Sequence, residues 1–276
     1  MAVDPDQSSS AFVTVAGHSA SPWILHVPHA SAEIPAAVRA RIVLDDDELG
    51  AELTAMTDAH TDLLAGCIGE RVKQGRPWSF INRVSRLVVD PERFADSSEV
   101  MNRVGMGAVY TRTSTGAPLR TDDEVHRAWL IAAYFEPYSR ALAALVDDRL
   151  SVTGRAVILD VHSFPTSPLP YELYPNDQRP TFCLGTDARH TPSQLVDAAQ
   201  AAFSGLGSVA VNQPFRGTYV PLRHYGHDDR VESIMLEIRR DAYLHRDGTP
   251  NRAAIERLAK AAARLIDGRE RGRRNV

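Results

Sequence analysis

The chain of 276 residues has only two cysteines, Cys67 and Cys183, far apart and in no Cys-x-x-Cys pattern. That excludes a disulfide framework and suits a reduced, cytoplasmic interior. No apolar run approaches the ~18 residues that a membrane span needs. Charge of one sign is not in excess. The formal net charge is -4, which implies no general affinity for nucleic acid or for a membrane surface. The basic tail from Arg264 to Arg274 is short and reads as the solvated end of a C-terminal helix. There is no internal repeat and no break in composition. Met1 to Ser10 is polar, with Asp4 and Asp6 and no apolar core, so it does not read as a signal peptide. Residues 1–20 are expected to be a disordered lead-in and residues 21–276 one domain. A hydrophobic content of 43% and a charged content of 24% are ordinary for a globular protein.

What is present is an alternation of strands and helices. Ser21 to Val27, Ser79 to Asn82, Arg86 to Asp90, Ala156 to Val161, Thr181 to Gly185, Val209 to Asn212 and Ser233 to Ile238 read as strands. Helices are expected from the acids at Asp45 to Glu48 onward, over Thr61 to Lys73, over Pro192 to Phe203 and over Asn251 to Ile266. A further helix opens at a capping box of Thr121 and Glu124 and runs to about Val146, with Pro137 as a kink or break. Asp96 to Pro118 reads as a long loop over the site. The pattern predicts an α/β fold, with a mixed, mostly parallel sheet and helices on both faces.

Two strands deliver polar groups to their carboxyl ends, where open α/β sheets build their sites. One is Val157-Ile158-Leu159-Asp160-Val161-His162-Ser163, the other Trp23-Ile24-Leu25-His26-Val27-Pro28-His29. Either histidine alone is an ordinary core or loop residue. Together, His29 and His162 read as metal ligands, because neutral imidazole suits zinc and a catalytic zinc keeps three protein ligands. The third ligand is Glu33 or Asp58, with His26 and His60 weaker choices. Asp160 is better placed to orient an imidazole. Glu237, inside an apolar strand, is an edge-strand surface acid or a partly buried general base. Arg83, Arg86 and Arg93 surround one short segment and suit an anionic substrate, since guanidinium grips carboxylate bidentately. The run Asn212-Gln213-Pro214-Phe215-Arg216-Gly217-Thr218-Tyr219 is a plain connection or a binding loop. Ser163 lies beside a histidine, but no nucleophile-elbow glycines surround it. It reads as a pocket residue, with activated water as the nucleophile.

At these residues the chain resembles the N-formylglutamate amidohydrolase family, whose core is similar to that of zinc carboxypeptidases and aspartoacylases. The matching pieces are Val27-Pro28-His29-Ala30-Ser31 through Pro35, Thr57 to Asp62, Ser85 to Asp90 with Arg93, Asp160 to Ser163, Cys183 to Asp187, Asn212 to Gly217 and Leu236 to Arg239. They keep the family's order. The resemblance implies a phosphorylase/hydrolase-like fold and a zinc-dependent (or other divalent-metal) amidase of an N-acyl amino acid such as N-formyl-L-glutamate, with a place in histidine degradation. It puts the metal on His29, Asp58 and His162, the general base on Glu237 and the carbonyl-facing arginine on Arg86. Arg83, Arg93, Asn212, Arg216 and Tyr219 are then expected around a small anionic substrate, with Asp160 and Ser163 behind the ligands. The chain departs from the family at Ala59-His60, at Arg216-Gly217-Thr218 and at Asp90-Pro91-Glu92-Arg93, where substrate would be read. A zinc peptidase or deacylase for another acidic acyl-amino acid, or an inactive metal-binding protein of the same fold, are the alternatives.

Overall fold

A computed structural model describes residues 11–274. Seven strands form one sheet: β1 (Phe12–Val15), β2 (Trp23–Val27), β3 (Trp78–Asn82), β4 (Ala156–Phe164), β5 (Phe182–Gly185), β6 (Val209–Val211) and β7 (Val231–Arg239). Their order is β1-β3-β2-β4-β7-β5-β6. β3, β2, β4 and β7 run parallel, while β1 and the β5–β6 pair run the other way. The expected mixed, mostly parallel α/β sheet is what the chain forms.

β4 lies at the centre and is buried along its whole length. Side chains alternate across a strand, so Val157, Leu159 and Val161 face one layer and Ala156 and Ile158 the other. The first layer is built by three helices, α3 (Thr61–Arg71), α6 (Ser193–Phe203) and α7 (Arg252–Arg274). The second is built by α5 (Glu136–Thr153), which brings Tyr138, Leu142, Val146 and Leu150 onto Ile24, Phe80 and Ile158. Helices therefore cover both faces. On the α5 face the apolar pattern stops after Ile158, and Asp160 and His162 take over before Phe164; on the other face it runs to Val161 and ends at Ser163. Two short helices, α1 (Ala36–Arg39) and α2 (Asp46–Met56), lead from β2 to α3; α2 opens on a capping box of Asp45 and Glu48.

The structure corrects four expectations. Residues 11–20 are not a disordered lead-in. Phe12 to Val15 pair antiparallel with β3, and the Phe12 ring stacks 5.1 Å from Phe80; residues 1–10 lie outside the described residues. Arg86 to Asp90 is a turn, not a strand: the Ser85 carbonyl accepts from Val88 N, and its hydroxyl accepts from Leu87 N. Its three apolar residues are buried, but Leu87 serves one cluster and Val88 and Val89 another, which an extended strand on one sheet does not require. The helix after residue 120, α4 (Glu124–Leu130), is capped by Asp123, whose carboxylate accepts from Val125 N and His126 N. Aspartate caps as well as threonine does. Lastly, the helix does not stop at about Val146 but runs on as α5 to Thr153; the expected break at Pro137 is there, as a π-helical turn over Ile131–Phe135 that separates α4 from α5. It stands just before Pro137, which has no N–H to continue the regular ladder. Among the described residues, no helix is long and apolar enough to cross a membrane.

Gly185 ends β5 where the 213–218 segment crosses it. A Cβ there would stand 2.1 Å from the Gly217 carbonyl oxygen and 2.4 Å from the Met235 side chain. Overpacking of this kind costs about 1–3 kcal/mol. Gly185→Ala is therefore expected to lower the thermal unfolding midpoint by several degrees. An unchanged midpoint would mean that the crossing segment is not seated on β5.

Candidate active site

The site is assembled at the carboxyl ends of the parallel strands. β2 ends in Val27 and the chain turns through Pro28, whose carbonyl accepts from the Asn82 amide, into His29. The His29 carbonyl accepts from Asp58 N (2.9 Å), and the Asp58 carbonyl accepts from the Thr61 hydroxyl at the start of α3. His60, between them, takes a left-handed conformation (φ 64°). Backbone bonds thus lock Asp58 beneath His29. On β4, Asp160 pairs in register with His26 of β2, and His162 with Glu237 of β7. Glu237 lies on an inner strand, between β4 and β5, and not on an edge.

These groups form a continuous buried run. Asp58 Oδ2 lies 3.1 Å from His162 Nδ1 and 3.6 Å from His29 Nδ1. The two rings are 5.1 Å apart. His29 Nε2 is 3.0 Å from Asp90 Oδ1, and the other Asp90 oxygen accepts from Arg86 (2.7 Å) and from the Tyr110 hydroxyl (2.6 Å). His162 Nε2 lies 3.0 Å from Asp160 and 3.3 Å from Glu92. Asp160 in turn meets His26 Nδ1 at 2.8 Å, and His26 Nε2 meets the Tyr138 hydroxyl at 2.6 Å.

The electrostatics follow from this packing. Burial alone would lower the pKa of both imidazoles. At His162 the charges of Glu92 and Asp160 outweigh burial and hold it well above the usual range. At His29 burial and Arg86 are outweighed by Asp90 and the bond to Asp58, so it too is raised. Burial pushes Asp58 upward, but its bonds from His162 and His29 prevail and keep it ionised. Asp90 is held low against burial chiefly by Arg86 and His29, and Asp160 by His162 and His26. Glu237 behaves differently. Burial pushes its carboxyl up to about 8, with His162 opposing and Asp58 reinforcing.

With its Nε2 proton directed at Asp90, a neutral His29 turns the lone pair of Nδ1 toward the Asp58 carboxylate. His162 presents both nitrogens to carboxylates. Lone pairs facing ionised oxygens in a buried space call for a cation between them, a proton or a metal ion. His29 Nδ1, His162 Nε2, Glu92 Oε1 and Glu237 Oε2 are buried without hydrogen-bond partners. Among the described residues, His29–Glu92–His162 and His26–Glu92–Asp160 are groups whose ligand atoms lie within 4.8 Å of one another. The donor set, imidazole plus carboxylate, fits a divalent transition metal.

A cavity of about 500 Å³ opens over these groups. His29, Asp58, Arg86, Arg93, Asp160, His162, Ser163, Arg216, Tyr219 and Glu237 all line it. Ser163 points from the opposite side of β4 to His162 and meets Arg240 Nε at 3.4 Å. Tyr219 N donates to Asp160 Oδ2. Two of the expected substrate-binding residues are not brought in. Arg83 is exposed outside the cavity, its backbone tied to Ala11 and Ser31. Asn212 sits at φ 56° and spends its amide on Thr186 N and Oγ1; asparagine tolerates that conformation, and here it braces a turn. Glu33 is exposed; Asp58 faces the Nδ1 atoms of both rings, and Glu92 Oε2 lies 3.7 Å from His29 Nε2 and 3.3 Å from His162 Nε2.

Sequence reasoning gave no role to Asp90, Glu92, Tyr110, Tyr138 or Arg240, placing the first two only in a stretch where substrate would be read. The first two stand in Asp90-Pro91-Glu92-Arg93, two acids flanking a proline beside arginines, and that pattern was a signal. The two tyrosines and Arg240 carried none beyond residue type.

A family model described as N-formylglutamate amidohydrolase matches residues 21–244. Among solved structures, an N-formylglutamate amidohydrolase from Ralstonia eutropha JMP134 is similar with a TM-score of 0.75 and 21% identity, covering 97% of this chain and 100% of its own. A gene product of Agrobacterium tumefaciens is similar with a TM-score of 0.73 and 20% identity over 100% of both chains. No curated protein matches. With a family match over most of its length and the same fold in two solved proteins, the chain belongs to the N-formylglutamate amidohydrolase family.

Proposed function

We propose that the chain is a metal-dependent amidohydrolase that cleaves the amide of a small anionic N-acyl amino acid, N-formyl-L-glutamate being the substrate class that the family's name supplies. One observation carries this reading: two buried imidazoles share the Asp58 carboxylate, and the Glu237 carboxyl, raised to about 8, stands beside His162 with one oxygen unpartnered. In this reading His29, Asp58 and His162 hold the ion, zinc or another divalent metal, and Glu92 is a further carboxylate within reach of both rings. A divalent ion held there supplies Lewis-acid charge to a carbonyl and lowers the pKa of a nearby water.

The remaining work belongs to the chain's own side chains. Glu237 accepts the proton of the attacking water at its free oxygen and passes it to the leaving amine nitrogen, so that one water and one amide become an acid and an amine. A carboxyl buried this way titrates nearer to neutrality than an exposed one, which suits both halves of that transfer. Arg86 faces the carbonyl oxygen as negative charge develops on it. Asp90 holds the Nε2 proton of His29 and so fixes the tautomer that leaves Nδ1 as a donor atom. Arg93 and Arg216 line the cavity with charge for a substrate carboxylate.

Released amine from N-formyl-L-glutamate is the direct assay. Glu237→Gln is expected to reduce kcat by about 10²–10⁴-fold, with no fall in the thermal midpoint; near-native turnover would remove Glu237 from the chemistry. His29→Ala and His162→Ala should each lower the bound metal measured by plasma mass spectrometry. Full occupancy in both would place the ion elsewhere. Arg86→Ala is expected to cost about 10²–10³ in rate. It should also destabilise the fold, because Asp90 loses its buried cation and breaking such a pair costs about 3–5 kcal/mol. A rate loss with an unchanged midpoint would show that Tyr110, His29 and Arg93 suffice to hold Asp90.

A further inference from the structure

Exposed large apolar side chains gather at one place on the described surface. Phe94, Val100, Leu173, Tyr174, Leu222 and Tyr225 are between 37% and 59% exposed, and all six line the cavity that holds His162 and Glu237. They come from three separate loops. The other exposed large apolar residues, Val43, Val125 and Val152, lie outside it. Single exposed apolar residues are ordinary, whereas a group of them around an opening marks a surface shaped for an apolar ligand.

Size points the same way. A cavity of about 500 Å³ falls in the range that encloses a drug-sized ligand. A formyl cap on a five-carbon diacid is small against that volume and presents almost no apolar surface to the rim. The rim is not wholly apolar: the Arg216 guanidinium stacks 3.8 Å over the Tyr174 ring and pairs with Asp177 at 3.0 Å. A cation embedded in an aromatic rim fits a ligand that carries an anionic group beside an apolar one.

We propose that the substrate is an N-acyl amino acid carrying a bulky apolar group, aryl or branched alkyl, which lies against the Phe94–Val100, Leu173–Tyr174 and Leu222–Tyr225 rim while its amide reaches His162 and Glu237. This rests on the amidohydrolase reading above and puts a larger, partly apolar substrate in place of the small one named there. The apolar group belongs either to the acyl part or to the amino-acid side chain, and the test separates the two.

The experiment compares kcat/KM of the metal-replete protein for N-formyl-L-glutamate, N-phenylacetyl-L-glutamate and N-formyl-L-phenylalanine. It repeats the comparison in Leu222→Asp and Val100→Asp, two exposed positions. At least one bulky substrate is expected to exceed N-formyl-L-glutamate by about 10-fold or more, since even one methylene in an apolar pocket is worth about 10–200-fold. Which bulky substrate wins identifies the side that carries the apolar group. Each rim variant should shrink that ratio several-fold while its unfolding midpoint stays in place. A preference for N-formyl-L-glutamate, or a ratio that neither variant moves, overturns the proposal but leaves the amidohydrolase reading standing. Hydrolysis of none of the three overturns both. A Leu222→Asp protein that sediments as a monomer where the parent is a dimer, with the ratio unmoved, assigns the rim to a second copy of the chain and likewise overturns it.

Discussion

The rest of the structure depends on a buried alternation of carboxylate and imidazole. It runs from Tyr138 through His26, Asp160, His162, Asp58, His29 and Asp90 to Arg86. A single carboxylate taken out of water costs several kcal/mol unless partners replace its hydration. Here each acid stands against groups that carry or share a proton. Removing one member leaves the next buried and uncompensated, so the run acts as a unit. Its two ends are tied by neutral hydroxyls, Tyr138 at one and Tyr110 at the other, and Arg86 brings the compensating positive charge.

The sheet makes that run possible through simple parity. Along β4 one set of alternate side chains, Val157, Leu159 and Val161, is apolar as far as Ser163 and carries the packing against α3, α6 and α7. The other set is apolar only as far as Ile158. Beyond it the same face offers Asp160 and His162, and the neighbouring strands answer with His26 and Glu237 in register. Helix α5 covers the apolar half of that face, and the first turn of the helix delivers Tyr138 to His26. Along its carboxyl half the strand therefore carries apolar packing on one face and polar chemistry on the other, and a substitution on the polar face destabilises through an uncompensated buried charge rather than through a cavity.

That parity also decides how much could be read from the sequence. An apolar run ending in Asp-x-His is legible because strand periodicity fixes which side chains share a face, so β2, β4 and β7 were recoverable from pattern, with His29 and His162 at the ends of two of them; whether Glu237 lay on an edge or inside the sheet was not. The 86–110 segment has no period. Its Asp90, Glu92 and Tyr110 reach the site through turns whose course depends on what they pack against. Arg83 and Asn212 failed for a related reason. Residue type suggested a substrate contact, but in irregular backbone nothing local says which way a side chain faces, and the two turned to solvent and to Thr186. The Arg86–Asp90 run had the composition of a strand, yet its apolar groups were better buried in two clusters than in one.

The arginines around the cavity extend the same logic outward. Arg86 and Arg93 flank Asp90, Arg179 pairs with Glu172 at 2.6 Å, and Arg216 pairs with Asp177 at 3.0 Å. Arg240 stands 3.7 Å from Asp58. A guanidinium has five donors in a fixed fork, so one internal carboxylate orients it without exhausting it. The internal acid immobilises a long side chain before any ligand arrives, which lowers the ordering cost at binding. It also offsets the positive charge that a ligand meets, so a carboxylate gains less from attraction alone. Recognition at such a rim must then draw on more than charge, and the exposed aromatic and aliphatic side chains between these pairs are the groups on hand to supply it.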